Sequence, residues 1–94
     1  MPWIHTHYQV QDFNKWKQVY DASAEVKRRY GWKRYRVFQV VGERTNLVVM
    51  DQFERADQAQ EFLASDFWRN ALAQMGVSGA PEVLVLDGLE EGPA

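Results

Sequence analysis

Lys33-Arg34-Tyr35-Arg36-Val37-Phe38-Gln39-Val40-Val41, then Gly42-Glu43-Arg44-Thr45-Asn46, then Leu47-Val48-Val49-Met50-Asp51-Gln52-Phe53, is the stretch on which the fold turns. Its two outer segments are rich in β-branched and aromatic residues, and the five between them are polar turn formers. That pattern predicts a β-hairpin, strands 33–41 and 47–53 joined by about five residues. Before it, Phe13, Trp16, Val19, Tyr20, Ala24, Val26 and Tyr30 recur at a 3.6-residue period, with Asn14, Gln18, Asp21, Glu25 and Arg28 opposite. This predicts one helix over 13–30, with Asp12 as N-cap and Gly31 as the left-handed residue just past its end. After the hairpin, Ala56, Ala59, Phe62 and Leu63 space as a second helix. Ser65 reads as a fresh N-cap, and Trp68, Ala71, Leu72 and Met75 continue as a further helix up to Gly76. Residues 3–10 and 82–87 read as the first and last strands, and 77–81 as a loop.

The order is therefore β-α-β-β-α-β: one α+β, ferredoxin-like domain over 1–87. A four-stranded antiparallel sheet of order 4-1-3-2 carries its helices on one face. Residues 88–94, with Gly88, Gly92 and Pro93 beside Glu90 and Glu91, read as a flexible acidic tail.

The 94 residues, 46% of them apolar, suit a single packed domain. A net charge of -2 gives no global reason for nucleic acid or an anionic membrane to be the partner. No apolar run approaches the length of a membrane span, and the start of the chain lacks a basic, apolar leader, so a cytoplasmic location is expected. With no cysteine, thiolate chemistry and disulfides are excluded.

Helices cover one sheet face only, yet the strands are apolar on both sides. Leu47, Val49 and Phe53 oppose Val48 and Met50; Val83 and Val85 oppose Leu84 and Leu86; Val37 and Val41 oppose Phe38 and Val40. An open antiparallel face in water should alternate cleanly, and a monomer rarely leaves an apolar patch of this kind exposed. Sheet-on-sheet association of two copies is the economical solution.

Several segments resemble the dimeric α/β-barrel superfamily, in particular small proteins related to antibiotic biosynthesis monooxygenases. They are Val10-Gln11-Asp12-Phe13-Asn14-Lys15-Trp16-Lys17, then Gly31, Asn46, Phe62-Leu63-Ala64-Ser65, Trp68-Arg69-Asn70-Ala71, and Gly76-Val77-Ser78-Gly79-Ala80-Pro81. The resemblance implies a homodimer whose sheets form a barrel, with a pocket inside the barrel or between each sheet and its own helices. It also implies activities ranging from cofactor-free oxygenation and isomerisation to none. These motifs are caps, core rings and turn glycines, which specify architecture more than chemistry. Haem-degrading relatives place a haem-ligating His on a helix; here neither predicted helical region contains one, which argues against that activity.

His5 and His7 are the only histidines and share a strand face. One of them is a candidate proton acceptor. A metal site would need a third ligand, for which Asp51 and Glu82 are the nearest candidates; two histidines satisfied inside a subunit interface are the plainer alternative, and no metal is expected. Arg36, on the same face as Arg34 and Phe38, is a candidate to hold an anion or to pair with Asp51 across the sheet. Trp3, Tyr35, Asp51 and Trp68 complete the candidate ligand-binding set; Trp68 follows the break at Ser65, where a pocket mouth would lie. The basic, aromatic run 27–36 would suit single-stranded nucleic acid. It crosses a helix end, a turn and a strand start, and cations at a helix C-terminus need no ligand, so nucleic acid is the weaker reading. The expected function is a homodimer that binds a small aromatic or anionic metabolite, with cofactor-independent monooxygenase, cyclase or isomerase chemistry as its expected activity. The alternative is a non-catalytic dimerisation or ligand-binding module.

Overall fold

Alternation along each strand sorts this sheet into a helix-covered face and an open one. In the structure, a computed structural model describing residues 1–94, the elements are β1 (Trp3–Val10), α1 (Phe13–Ala22), α2 (Ala24–Arg29), β2 (Trp32–Val40), β3 (Glu43–Phe53), α3 (Ala56–Ala64), α4 (Asp66–Gln74) and β4 (Val77–Leu86). All neighbouring strands are antiparallel, in the order β2-β3-β1-β4. This is the expected ferredoxin-like α+β sheet with helices on one face.

Ile4, Thr6, Tyr8 and Val10 of β1 and Leu47, Val49, Asp51 and Phe53 of β3 point under the helices and are buried. Tyr8, Trp16, Tyr20, Leu47, Val49 and Met75 anchor one core cluster; Ile4, Phe53, Ala59 and Phe62 form a second.

Asp12 caps α1, its carboxylate accepting from the backbone N–H of Asn14 at 2.9 Å. The uninterrupted helix expected over 13–30 instead divides at Ser23. Its hydroxyl donates to the Tyr20 carbonyl at 2.5 Å, offering the backbone a competing partner where the next turn would continue. The break expected at Ser65 is present: Ser65 Oγ accepts from the Trp68 N–H at 3.2 Å and opens α4.

The hairpin is tighter than expected. Val41 and Gly42 alone connect β2 to β3, because Gly42 takes a positive φ of 82° that lets the chain reverse within two residues. Glu43 to Asn46 therefore extend β3. The segment 77–81, expected as a loop, belongs to β4: the β1 pairing shifts register between His7↔Glu82 and Gln9↔Ser78, and the strand resumes beyond that bulge.

Gly31 ends the helical pair with φ +97°, and a Cβ there would lie 2.4 Å from Gln58 Oε1. That oxygen accepts the Arg55 N–H at 2.9 Å at the start of α3. Gly31→Ala is therefore expected to destabilise the fold by more than about 1 kcal/mol, by adding backbone strain and displacing Gln58. Thermal unfolding reads it as a lowered Tm; an unchanged Tm would contradict the assignment.

Candidate functional site

The seven residues singled out from the sequence separate onto two faces. Trp3, His5, His7 and Arg36 stand on the open side, where His5 pairs with Met50, His7 with Val48 and Glu82, and Arg36 with Met50. Asp51 pairs with Ile4 and Tyr35 on the helix side, so it neither meets Arg36 nor completes a ligand set with the histidines. No three His, Asp or Glu side chains converge as a metal site would require. His7 Nε2 donates to Asn46 Oδ1 at 2.7 Å, and His5 Nδ1 is buried without a hydrogen-bond partner.

A denser polar constellation lies under the helices. Asp51 Oδ1 accepts from the Tyr20 hydroxyl and from Trp32 Nε1, the latter at 2.8 Å. Lys27 Nζ stands 3.7 Å from the same oxygen, 3.4 Å from the centre of the Tyr20 ring and 4.3 Å from that of Trp32. Tyr35 stacks on Trp32, with ring centres 5.3 Å apart, and meets Tyr20 edge-on, closing the outer side. Trp16 Nε1 donates to the Tyr8 hydroxyl at 2.6 Å beside this group.

Lys27 is only 2% exposed, and its nitrogen has no hydrogen-bond acceptor. Withdrawal from water disfavours the ammonium and lowers its pKa to about 8; the negative charge of Asp51 offsets part of that loss. The two ring faces also favour the cation. Burial drives the Tyr20 phenol well above its ordinary range, and the Asp51 carboxylate reinforces the shift because it repels a phenolate. Tyr8 is raised by burial too. The constellation therefore holds a lysine, Lys27, whose pKa burial brings down to about 8.

Lys27, Asp51 and Tyr20 border a cavity of about 10 Å³ whose opposite wall includes Phe67, Trp68 and Met75. That is room for one water-sized molecule. Asp51 and Trp68, both named from the sequence, thus meet here; Tyr35 backs the rings from outside. A groove of about 380 Å³ between α1 and α4 shares Ser23, Phe67 and Ala71 with the cavity wall. From the sequence, Lys27 reads as one of the cations at a helix C-terminus and Tyr20 as one member of an apolar stripe. Their spacing held the missing signal: Trp16, Tyr20, Ser23 and Lys27 fall at i, i+4, i+7 and i+11, one helical face.

No family model matches the chain, and no curated protein matches it. Solved structures share its fold. A Caulobacter crescentus protein provisionally named an antibiotic biosynthesis monooxygenase superposes with a TM-score of 0.73 at 23% identity, over 95% of this chain and 90% of its own. A Bordetella bronchiseptica protein named in the same provisional way reaches 0.78 at 10% identity, over 95% and 97%. SnoaB, a cofactor-independent oxygenase from Streptomyces nogalater, reaches 0.77 at 13% identity, over 99% and 96%. At these identities the likeness is one of fold along nearly the whole chain.

Proposed function

We propose that the protein is a small-molecule-binding homodimer that carries out proton-abstraction chemistry at Lys27. The reaction class is the oxygenation or isomerisation of a phenol or enolisable carbonyl compound without a resident cofactor. The observation that carries this reading is the buried, acceptor-free Lys27 nitrogen aimed into a cavity beside Asp51. As the free amine, Lys27 takes a proton from the substrate. The resulting ammonium is held by Asp51 and by the faces of Tyr20 and Trp32, and its charge stabilises the substrate anion. An electron-rich anion of this kind can rearrange or react with dioxygen itself; the Streptomyces nogalater neighbour is named a cofactor-independent oxygenase. Oxygen uptake and product analysis with a panel of polycyclic phenols test it; failure of every phenol and enolisable ketone to bind or turn over would favour the non-catalytic module.

The histidine pair supports a second reading, catalysis inside a barrel formed by two open faces, because His5 Nδ1 is buried and unpartnered. Lys27 is the better base on burial and on charge surroundings.

Dimerisation is supported by the open face itself. Phe38 and Leu84 are 41% and 49% exposed there, around half-buried Val48 and Met50. Charge adds to it: edge strand β2 carries Lys33, Arg34 and Arg36, while the opposite edge carries Glu82 and, just beyond it, Asp87, Glu90 and Glu91. A two-fold packing of sheets can set basic edge against acidic edge. Wild type is expected to sediment at about twice 11.0 kDa and Val48→Glu, at the centre of that face, as a folded monomer. A wild-type monomer at micromolar concentration would remove the dimer.

A further inference from the structure

We propose that the α1–α4 groove binds the body of the substrate, that this substrate is uncharged and bears several hydrogen-bonding groups, and that it reaches Lys27 past Phe67. This rests on Lys27 being the reactive group, and it adds where the ligand sits and what kind of molecule it is.

The cavity at Lys27 has room for about one water, too little for any organic substrate, so the bulk of the molecule must lie elsewhere. The groove of about 380 Å³ has ligand dimensions and shares three wall residues with it, whereas a hollow of about 260 Å³ on the other side shares only Tyr8. The wall between them consists of Ser23, Phe67 and Ala71. Ser23 and Ala71 are small, and Phe67 is the only bulky side chain of the three. Ser23 sits where α1 breaks from α2, so the helical wall is interrupted above the buried amine.

The groove's own lining sets the ligand class. Gln18, Asn70 and Gln74 offer amide donors and acceptors beside Val19 and Ala22, and no charged side chain takes part. An anionic ligand would find no cation until Lys27, and a cationic one no carboxylate short of Asp51. A neutral molecule with hydroxyl or carbonyl groups finds partners along the whole path. A cluster of cations lies elsewhere, beside β2, where Arg28, Lys33 and Arg34 surround a separate open hollow. The sequence expectation of an aromatic or anionic metabolite thus narrows to a neutral one.

The test uses two acetylating probes that differ in charge alone, succinimidyl acetate and its sulfonated, anionic analogue. In either case the free amine attacks the acyl carbon, an amide forms, the hydroxysuccinimide leaves and the amine proton goes to solvent. Peptide mass spectrometry of the intact, folded protein at pH about 8, with exposed Lys15 and Lys33 as internal references, reads the rate at Lys27. The neutral probe is expected to label Lys27 at least about tenfold faster than the sulfonated one, since a charge must be stripped of water to enter, while the reference lysines react alike with both. Gln18→Trp and Gln74→Trp, two surface changes that fill the groove from either wall, are each expected to slow Lys27 labelling about fivefold, and Phe67→Ala to speed it by a similar factor. Equal rates for the two probes, or labelling indifferent to both Trp variants, would overturn the proposal. Labelling that tracks global unfolding in mild urea would overturn it as well.

The two readings fail separately. Groove-dependent labelling with unchanged turnover in Lys27→Met leaves the binding path and removes the chemistry. Lost turnover in Lys27→Met with groove-independent labelling does the reverse.

Discussion

Replacing Lys27 with Met is expected to lower turnover of a responsive phenol by about 10²–10⁴-fold, the contribution a positioned general base makes. The fold should survive the change, at some cost in stability because the buried Asp51 carboxylate loses its cation. Met matches the aliphatic stem of Lys, and the removed group is a buried ammonium with no hydrogen-bond acceptor. Asp51 keeps its bonds from Tyr20 and Trp32, so the pocket wall stays in place. The loss should fall on kcat, because the nitrogen acts on the reacting proton and the groove holds the rest of the substrate.

Protonation supplies the sharper readout. The amine form does the work, so the wild-type rate rises with pH and levels off above about 8. Lys27→Met lacks that limb. Lys27→Arg preserves the positive charge beside Asp51 but cannot release a proton at any working pH, and is expected to be as inactive as Lys27→Met. Substantial activity in Lys27→Arg would mean that charge alone suffices and would replace the base with an electrostatic role. Full activity in a folded Lys27→Met would end the reading.

How far the sequence disclosed these features depends on which physical signal each one leaves. The hairpin, the capped first helix and the break at Ser65 were legible because β-branched runs, an Asp N-cap and a mid-helix Ser each act locally. The division at Ser23 was not, since it comes from a hydroxyl reaching back to Tyr20 within an otherwise regular apolar period. The two-residue turn at Val41 and Gly42 was missed for a related reason. Glu43, Arg44, Thr45 and Asn46 look like loop by type, and only strand pairing draws them into β3.

The site followed the same rule. Strand alternation placed His5 and His7 together, as expected, and it also determined the face of Asp51. Leu47, Val49, Asp51 and Phe53 are one period-two series, so a carboxylate among three core residues had to be buried and therefore partnered. Reading Asp51 against the histidines overlooked that parity. Lys27 was hidden by an adequate explanation, since cations at a helix end need no further cause. Its burial becomes evident only when its spacing from Tyr20 is set beside that of Trp16. No local pattern carries the groove, because α1 and α4 lie 44 residues apart from the end of one to the start of the other and become neighbours only in the folded chain.

Asp51→Ala is expected to destabilise the folded state by about 3–5 kcal/mol, the cost of leaving one partner of a buried ion pair alone. For a domain of this size that is a large share of the whole. The change strands three groups together: Lys27 keeps a buried charge, and the Tyr20 hydroxyl and Trp32 Nε1 lose their acceptor. Asp51→Asn keeps an oxygen for both donors and removes only the charge, so it should cost less; the difference between the two variants isolates the hydrogen bonds from the ion pair. The penalty must also depend on pH, with a sign fixed by Lys27. Its folded pKa, about 8, lies below the unfolded value of 10.5, so between those limits the unfolded chain binds more protons and stability rises with pH. The full span is worth at most about 3 kcal/mol. Tyr8 and Tyr20 act oppositely: their folded pKa values are raised above 10.0, so the stability they contribute is complete below that pH and is lost above it. Urea midpoints of the wild type should therefore climb from pH about 8 to about 10 and then fall. In Asp51→Ala the carboxylate no longer supports the ammonium, Lys27 releases its proton at lower pH, and the climb begins earlier. A flat wild-type profile between pH 8 and 10, or a climb that starts at the same pH in both proteins, would place Lys27 in water and dissolve its coupling to Asp51.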